Sequence, residues 1–440
     1  MREYWREQFM FLKNNKKGSS IVLLAMVFVT LAICITSAIT IARALVVKSE
    51  CESFGHLWTK AILSEYDRNL LEEYNIMAYW GNDAAVKNKI DKYLKYSAAE
   101  KLDAKIKGSS SELAGMELGD IKNFETALEH SFTSEMIDTV MNHTSRHKRE
   151  ESDEDSDTRE IRNQVVLDTL PSCDMDNSDK IANLINGIKK GKQFDEFLAS
   201  AKTMAAEAAL IYYKMGNHVT AANDKDGFFK NEWEYIIHGK KDDDDNYNFC
   251  LAQIALIRNA SNLAYLFSDP EKMEVITTVA ECATPGVVGG LTIFIVAEAW
   301  AAIETAMDMD ELLDNGRVPV IKTAESWKTD IGLILDTDDI QDKLDDEGKE
   351  KLEEKEEEIE GMKGAKGIVD NIKEGQTYDE YLLAIIAAMD KKTRLLRIMD
   401  IIQINMKYWH YRDFNLMEYY TGVRFAINAN GKSYEFEDIY

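Results

Sequence analysis

The stretch that decides how this chain is organised is Lys16-Lys17-Gly18-Ser19-Ser20, followed by the uncharged run that ends at Ala42. Residues 18–42 are 25 consecutive positions without a charged side chain. At a helical rise of about 1.5 Å per residue the run spans roughly 37 Å, enough to cross a hydrocarbon core of about 30 Å. Backbone groups in lipid must find hydrogen-bond partners within their own segment, so a lone span is helical. The sequence predicts a transmembrane helix over 18–47.

The basic residues of segment 1–17 set the expected orientation. They are Arg2, Arg6, Lys13, Lys16 and Lys17. Positive side chains beside a span stay cytoplasmic, whereas long following domains cross regardless of charge. A cleaved secretory signal is the alternative, since Ala42-Arg43-Ala44 resembles a peptidase site, but such signals have apolar cores of only about 7–15 residues. The prediction is a single-pass cell-membrane protein with a cytoplasmic N-terminus and an extracellular C-terminal domain.

A second span would return the C-terminus to the cytoplasm, and Cys282–Ala297 is the best candidate for it. This run lies between Glu281 and Glu298 and contains Pro285. It is shorter than the roughly 18 apolar residues that a membrane helix needs. We therefore expect it to be a buried core helix, which leaves one span.

The composition favours a folded, largely helical exterior domain. The chain has 440 residues, 45% of them hydrophobic, and only four prolines. The formal net charge is −26, and residues 1–44 carry six basic and two acidic side chains, which leaves −30 on the remainder. A surface this acidic repels nucleic acid and anionic lipid headgroups. No nucleic-acid partner is expected.

An apolar stripe continues directly after the predicted span. Its members recur at spacings of three and four, as on one face of a helix: Val47, Cys51, Phe54, Trp58 and Ile62. We therefore assign a stem helix over 48–81. The stripe must be buried either by the protein's own domain or by a partner helix, and we expect internal packing to dominate.

The rest of the chain divides by composition into three parts. Residues 82–145 carry helical patterns, and 146–160 form a charged linker without apolar side chains. The main helical ectodomain follows over 161–440. Near its end two alternating runs flank Asn430-Gly431, a strong signal for a β-hairpin because both residues tolerate positive φ. The predicted fold class is α+β, mostly helical, with a small antiparallel sheet.

The common catalytic and metal motifs are missing from the sequence. There is no GxGxxG, GxxxxGK[ST], HExxH or GxSxG, and the seven histidines are scattered singly. The run from Asp174 starts like a calcium loop, but Asp179 replaces the required glycine and Ile185 the bidentate glutamate. The acidic run Asp242–Asp245 can hold at most a loosely bound cation. We predict no enzyme activity, no cofactor, no metal site and no small-molecule substrate.

Four cysteines lie outside the predicted span and allow two disulfides in any of three pairings. They are Cys51, Cys173, Cys250 and Cys282. The sequence leaves their pairing open.

A set of short motifs is spread over nearly the whole chain. They are Lys16-Lys17-Gly18-Ser19-Ser20-Ile21-Val22, Ala42-Arg43-Ala44, the segment Ser64 to Tyr74, the segment Trp233 to Lys240, the segment Asn262 to Asp269, Val318 to Thr323 with Trp327, and Tyr378 to Leu382 with Arg394 to Asp400. Taken together, these motifs resemble the TadE/TadG-like membrane-anchored proteins of Gram-positive (Firmicutes) bacteria. More particularly, they resemble an uncharacterised family associated with tight-adherence (Tad) pili. The resemblance implies a pilin-like accessory component whose partners are the membrane and other pilus or secretion-system proteins.

One departure from the pilin pattern bears on processing. Prepilin-type cleavage at Gly18-Ser19 would normally be accompanied by a glutamate five residues after the glycine, and Leu23 stands there. The missing carboxylate favours an anchored accessory protein over a major pilin. The alternative reading is a membrane-anchored extracellular ligand-binding or sensing domain, and an enzyme is a third.

Overall fold

The computed structural model describes residues 2–98, 106–132, 147–148, 170–172, 204–222, 227–283, 289–335 and 375–440, with single positions at 350, 351, 355, 359 and 361. Within these residues the chain is mostly helical with a small antiparallel sheet, which confirms the predicted α+β class. The predicted linker 146–160 lies outside the described residues except for its second and third positions.

The helices are α1 (Arg2–Leu63), α2 (Arg68–Tyr74), α3 (Asp83–Tyr93), α4 (Ile121–Ser131), α5 (Ala205–Lys214), α6 (Glu232–His238), α7 (Asp243–Ser268), α8 (Pro270–Ala283), α9 (Gly290–Leu313), α10 (Gly332–Leu335), α11 (Tyr378–Ala388) and α12 (Lys391–Trp409). The strands are β1 (Tyr79–Trp80), β2 (Ile106–Ser111), β3 (His147–Lys148), β4 (Ala221–Ala222), β5 (Tyr419–Tyr420), β6 (Gly422–Ala429) and β7 (Lys432–Ile439).

The membrane segment and the stem form one uninterrupted helix, α1, of 62 residues. It has no proline and no break at the predicted boundary between 47 and 48. It ends earlier than the predicted stem boundary of 81, because the chain turns after Leu63, where the Glu65 N–H bonds the Ile62 C=O three residues earlier at 3.0 Å. The segment 64–81 instead contains the separate elements α2 and β1.

The described chain folds as two compact units. The first, which we call the stem unit, comprises 1–66, 78–117 and 420–440, and the second, the helical unit, comprises 67–77 and 118–419. The C-terminal hairpin therefore belongs to the stem unit, whereas the sequence-based division placed it in the main ectodomain of 161–440. The hairpin follows the helical residues directly in sequence, which suggested that it belonged with them. It belongs to the stem unit because β6 and β7 pack on α1.

The sheet of the stem unit has the order β2-β6-β7, with every pair antiparallel. Asn430 and Gly431 take φ values of 54° and 77°, which confirms the predicted two-residue hairpin turn. Along β6 the alternate residues Val423, Phe425 and Ile427 are buried, as expected for a strand with one face on a core.

The helical unit is organised around α12. Its residues from Arg394 to Met406 are all buried, so the helix is covered on every side. Asp390 caps its first turn by accepting a hydrogen bond from the Thr393 N–H at 3.4 Å. Helices α4 and α6 are in contact with α12, and α6 is also in contact with α11.

A second core of the helical unit lies among α7, α8 and α9. It contains Val275, Val279, Trp300 and Trp327, all essentially inaccessible to solvent. The candidate second span, Cys282–Ala297, is not one continuous helix, because the backbone of Gly289, directly before α9, is extended. Helix α9 buries one face in this core, as predicted, but leaves its opposite face exposed.

The chain pairs only briefly around Val318. A single antiparallel bridge joins Val318 to Gln376, with N–H to C=O distances of 2.9 and 3.1 Å. Two residues later the Val320 N–H donates to the side-chain Oε1 of Gln376 at 3.2 Å.

Candidate functional site

The apolar half of α1 is the first feature that can carry function. From Ser20 to Val46 every side chain is exposed, including Leu, Ile, Val, Met and Phe side chains. The three threonines of this run are satisfied within the helix, as Thr30, Thr36 and Thr40 donate their hydroxyls to carbonyls three or four residues earlier. A helix that exposes this much apolar surface while satisfying its own polar groups is long and apolar enough to span a membrane.

The environment of α1 changes at one residue. Leu45 and Val46 are exposed, whereas Val47 is buried against the stem unit. One turn later Lys48 and Glu52 form an exposed i,i+4 ion pair with a 3.6 Å separation. The start of the domain-facing stripe thus coincides with the end of the segment predicted to span.

The stem stripe packs on the three-stranded sheet of its own unit. Val47, Cys51, Trp58 and Ile62 are buried, and Phe54 is partly buried beside them. The Phe54 and Trp58 rings stack with centroids 5.6 Å apart. The sheet supplies the opposing apolar side chains, which are Val423, Phe425, Ile427, Ala429 and Phe436. The structure therefore places all five predicted stripe residues at one internal interface.

Two details show how closely the stem and the hairpin approach. A Cβ added to Gly55 would lie 2.2 Å from the Phe436 ring, so only glycine fits without displacing that ring. The Thr59 hydroxyl donates to the Asp438 carboxylate at 3.3 Å, and the Tyr440 hydroxyl donates to the Leu63 carbonyl at 2.5 Å. The C-terminal strand is thus held to the last turns of α1.

This packing constrains the membrane topology. The stem after Val47 and the hairpin 422–439 share one core, so they must lie on the same side of any membrane that α1 crosses. Helix α9 also passes the length and composition test for a span. Were it to cross alone, the hairpin would be carried to the opposite side from the stem. The observed core contradicts that arrangement.

The candidate processing site lies within α1. The backbone at Gly18 and Ser19 is helical, and their side chains lie outside what the structure describes. Leu23, at the position where pilins carry glutamate, is exposed on the apolar part of the helix. Its alkyl side chain cannot replace a carboxylate as a partner for an amine.

The helical unit contains a buried ion network that the sequence analysis did not identify. The Arg258 guanidinium donates to the Asp308 carboxylate at 2.8 Å, and the Lys322 ammonium donates to Asp308 at 2.7 Å and to Glu304 at 2.5 Å. All four side chains are fully buried. Burial alone would raise the pKa of Asp308, but the charges of Arg258 and Lys322 outweigh it and hold that pKa below its usual value.

Further hydrogen bonds complete this network. Arg258 also donates to the carbonyls of Pro319 and Val320 and to the Tyr381 hydroxyl, at 2.8, 3.0 and 3.1 Å. The second carboxylate oxygen of Glu304 accepts from the Thr329 N–H at 2.9 Å. The network therefore ties α7 and α9 to the irregular segment 317–331. One sequence signal was present, because Arg258 is the only charged residue between Asn246 and Ser268.

A second buried group consists of carboxyls with few cations nearby. Glu234 is fully buried, and its Oε1 accepts hydrogen bonds from the Val219 N–H and the Tyr378 hydroxyl, both at 3.0 Å. Its other oxygen, Oε2, has no hydrogen-bond partner. Burial raises the pKa of Glu234 to about 7, and the nearby Asp243 carboxylate acts in the same direction.

Asp400 on α12 shows a similar effect. Its carboxylate accepts hydrogen bonds from the Ser172 N–H at 3.0 Å and from the Tyr235 hydroxyl at 2.9 Å. Burial nevertheless raises its pKa to about 6, in spite of those bonds and of the Arg397 charge. Both carboxyls hold protons in the folded chain at pH values where exposed carboxyls are ionised.

We expect Glu234→Gln to remove much of the resulting pH dependence. Between about pH 4.5 and 7 the unfolded chain releases the Glu234 proton while the folded chain keeps it, so the free energy of unfolding falls as pH rises through this window. The loss is on the order of 3 kcal/mol. Glutamine keeps the carbonyl acceptor without a charge. Denaturant unfolding should give near-equal stabilities at pH 5 and a more stable variant at pH 8.

The exposed Glu274 provides the control for this measurement. Glu274→Gln should follow the wild-type pH profile. A Glu234→Gln variant that differs from wild type by the same amount at pH 5 and pH 8 would contradict a protonated Glu234.

The acidic run Asp242–Asp245 serves as the start of α7. The Asp242 carboxylate accepts hydrogen bonds from the Asp244 N–H at 2.8 Å and the Asp245 N–H at 3.4 Å, and so caps the helix. Asp243 is buried and accepts from the Lys230 N–H at 2.8 Å. Carboxylates at a helix N-terminus are also favoured by the helix dipole. Among the described residues no group of three or more His, Cys, Asp and Glu side chains is arranged to hold a metal ion.

The cysteines that the structure describes are free thiols. Cys51, Cys250 and Cys282 are buried, and Cys34 is exposed on the apolar half of α1. Burial raises the pKa of the Cys51 and Cys250 thiols, which disfavours the reactive thiolate. Cys173 lies outside the described residues.

Comparison with known proteins gives one match. The sequence model of a family of unknown function (DUF5702) matches residues 144–431, about two thirds of the chain. This region covers most of the helical unit and most of the C-terminal hairpin, and it begins well after α1. Neither the curated proteins nor the solved structures contain a match.

Proposed function

We propose that this chain, which belongs to the DUF5702 family, is a non-enzymatic accessory or minor-pilin-like component of a Tad-type pilus or secretion apparatus. Helix α1 anchors it in the cell membrane with the N-terminus cytoplasmic, and the chain from residue 48 onward lies outside. The stem unit orients the exterior part, and the ectodomain binds other pilus proteins by shape.

The observation that carries this proposal is the form of the stem unit. One continuous helix presents 27 exposed residues from Ser20 to Val46 and then packs its next four turns on an antiparallel sheet. A membrane helix that runs directly into a domain-facing stem is the form of a pilin subunit. The apolar N-terminal half is free to lie in a bilayer or against the same half of other subunits.

The buried polar groups support a structural rather than a catalytic role. The charges of Arg258, Asp308, Glu304 and Lys322 satisfy one another in the interior. They are inaccessible to solvent, so a substrate cannot reach them without unfolding part of the unit. Networks of this kind hold segments in a fixed arrangement.

Leu23 supports an anchor that is retained. A glutamate at that position is what pairs with a neighbouring subunit's amine in a pilin filament, and leucine offers no such pairing. The proposal is therefore a protein that keeps residues 1–18 and remains in the membrane, beside the filament rather than within it.

Site-specific photocrosslinking in the native bacterium tests the assignment. A photoreactive amino acid replaces Leu57, which is 60% exposed on the outer face of the stem. We expect crosslinked products that contain Tad pilins, platform proteins or other pilus components, and fewer surface pili when the gene is deleted. The control position is Ala84, exposed on α3 of the same unit. Normal piliation after deletion, together with crosslinks only to unrelated proteins, would overturn the pilus role.

A further inference from the structure

The antiparallel helices α7 and α9 present an exposed face that lacks surface charge. The large side chains that define this face are Leu256 and Phe267 on α7, at 57% and 44% exposure, and Leu291 and Phe294 on α9, at 73% and 46%. Small exposed residues lie between them. These are Ala252, Ala264, Ala302 and Ala306. We refer to these eight residues as the α7/α9 face.

The two stripes lie on the same side of the helix pair. Arg258 and Asn262 of α7 meet Asp308 and Thr305 of α9, which fixes the antiparallel alignment. With 100° between successive residues, the exposed positions of each helix then fall on the same side of the seam. The Phe267 and Phe294 rings stack across the seam with centroids 6.5 Å apart.

The α7/α9 face differs from the rest of the molecule in its lack of charged side chains. Charged residues make up 30% of the chain, yet none of the exposed residues from Asn246 to Ser268 is charged. Glu298 of α9 is partly buried and accepts a hydrogen bond from the Asn259 amide of α7 at 2.6 Å. Acidic residues border the face, with Asp269 and Glu271 at one end of the pair and Asp310 at the other.

We propose that the α7/α9 face is a self-association surface occupied by the same face of a second copy of this chain. The argument is electrostatic. A basic partner would be drawn to the acidic surface and would find no charge to pair with on this face. A second copy carries the same negative charge and is repelled wherever charged surfaces meet, but it matches this face with an equally uncharged and apolar one. The acidic borders also disfavour insertion of the face into an anionic membrane.

The size of the face sets the expected strength. About 22 Å of helix length on two helices about 10 Å apart gives roughly 450 Å² per copy, or about 900 Å² in a dimer. This is below the roughly 1,200–2,000 Å² of stable soluble complexes, so the dimer is weak in free solution. Anchored copies are confined to the membrane plane, which raises their effective concentration. The inference uses the proposed anchoring but not the pilus role.

Disulfide crosslinking of the full-length protein in membranes tests this inference. Cysteine is introduced singly at Ala264 and at Ala302, in a chain whose Cys34 and Cys173 are replaced by serine. Mild oxidation is expected to produce a species of twice the monomer mass from at least one of the two variants. Cysteine at the exposed Ala84 of α3 serves as the matched control and should give little of it.

A charge variant separates a specific contact from random collision. Ala264→Glu with Ala302→Glu changes only exposed positions, so folding should be retained. Each copy of the pair would then bury unpaired carboxylates, and crosslinking through cysteine at Ala252 should fall roughly tenfold or more. Ala84→Glu should leave it unchanged.

Three results would overturn the proposal. One is the absence of a crosslinked dimer, and another is equal crosslinking at Ala84. The third is protection of the face cysteines by lipid, seen as labelling only by a membrane-soluble reagent. Normal piliation after deletion of the gene, together with this crosslink in cells that carry it, would weaken the pilus role and leave the self-association intact.

Discussion

Arg258→Met is expected to destabilise the helical unit by about 3–5 kcal/mol, the cost of removing one partner of a fully buried ion pair. The substitution leaves the carbonyls of Pro319 and Val320 and the Tyr381 hydroxyl without their donor. Methionine fills similar volume, so the loss measures the missing charge and hydrogen bonds rather than a cavity. Hydrogen exchange followed by mass spectrometry on the full-length protein should show faster exchange in α7 and α9.

The same measurement on two other variants sharpens this test. Arg258→Lys keeps the charge but not the planar fork of donors, so it should fall between wild type and Arg258→Met. Arg424→Met removes an exposed arginine whose bond to Glu437 lies on the surface of the sheet, and it should leave exchange nearly unchanged. Equal exchange in Arg258→Met and wild type would contradict a structural role for the network.

Trp58→Ala is expected to destabilise the stem unit by about 3–5 kcal/mol, as for other large-to-small changes at aromatic core positions. Trp58 is only 3% exposed and stacks on Phe54 and against Tyr93. Its loss opens a cavity between α1 and the sheet. Exchange of the β6 and β7 amides should accelerate, because those strands rest on the stem stripe.

Leu57 is the matched control, as it is adjacent in sequence and on the same helix but exposed. Leu57→Ala should leave the exchange of β6 and β7 unchanged and act only on partner contacts. If Trp58→Ala left β6 and β7 protected while partner crosslinks disappeared, the stripe would serve assembly instead of internal packing.

The local features of the stem unit were predictable from sequence because each follows from a short-range pattern. The apolar run gives α1, the spacing of Val47 to Ile62 gives the buried stripe, and Asn430-Gly431 gives the hairpin turn. The partner of the stripe was not predictable in the same way. Strands β6 and β7, which cover it, lie more than 350 residues away along the chain. Only their own alternation of apolar and polar residues indicated that they had a core face.

The buried ion network illustrates what sequence patterns do not give. Arg258, Glu304, Asp308 and Lys322 come from three separate segments, and charged side chains are ordinarily assigned to the surface. Only the antiparallel packing of α7 on α9 brings them together. The exposed face of α9 was not predicted for a related reason. The sequence of an apolar helix of this length does not show whether the helix is covered on one side or on all sides.

The most direct test of the central claim is to measure which side of the membrane each part of the chain occupies. Single cysteines at Lys13, Leu57, Lys241 and Lys432, in the same Cys34 and Cys173 to serine background, are exposed to a membrane-impermeant maleimide on intact, wall-stripped cells. The account predicts labelling at positions 57, 241 and 432, and labelling at 13 only after lysis, on a protein that still carries its first 18 residues. Protection of position 432, or a mature protein that begins at Ser19, would contradict a retained single-pass anchor with the rest of the chain outside.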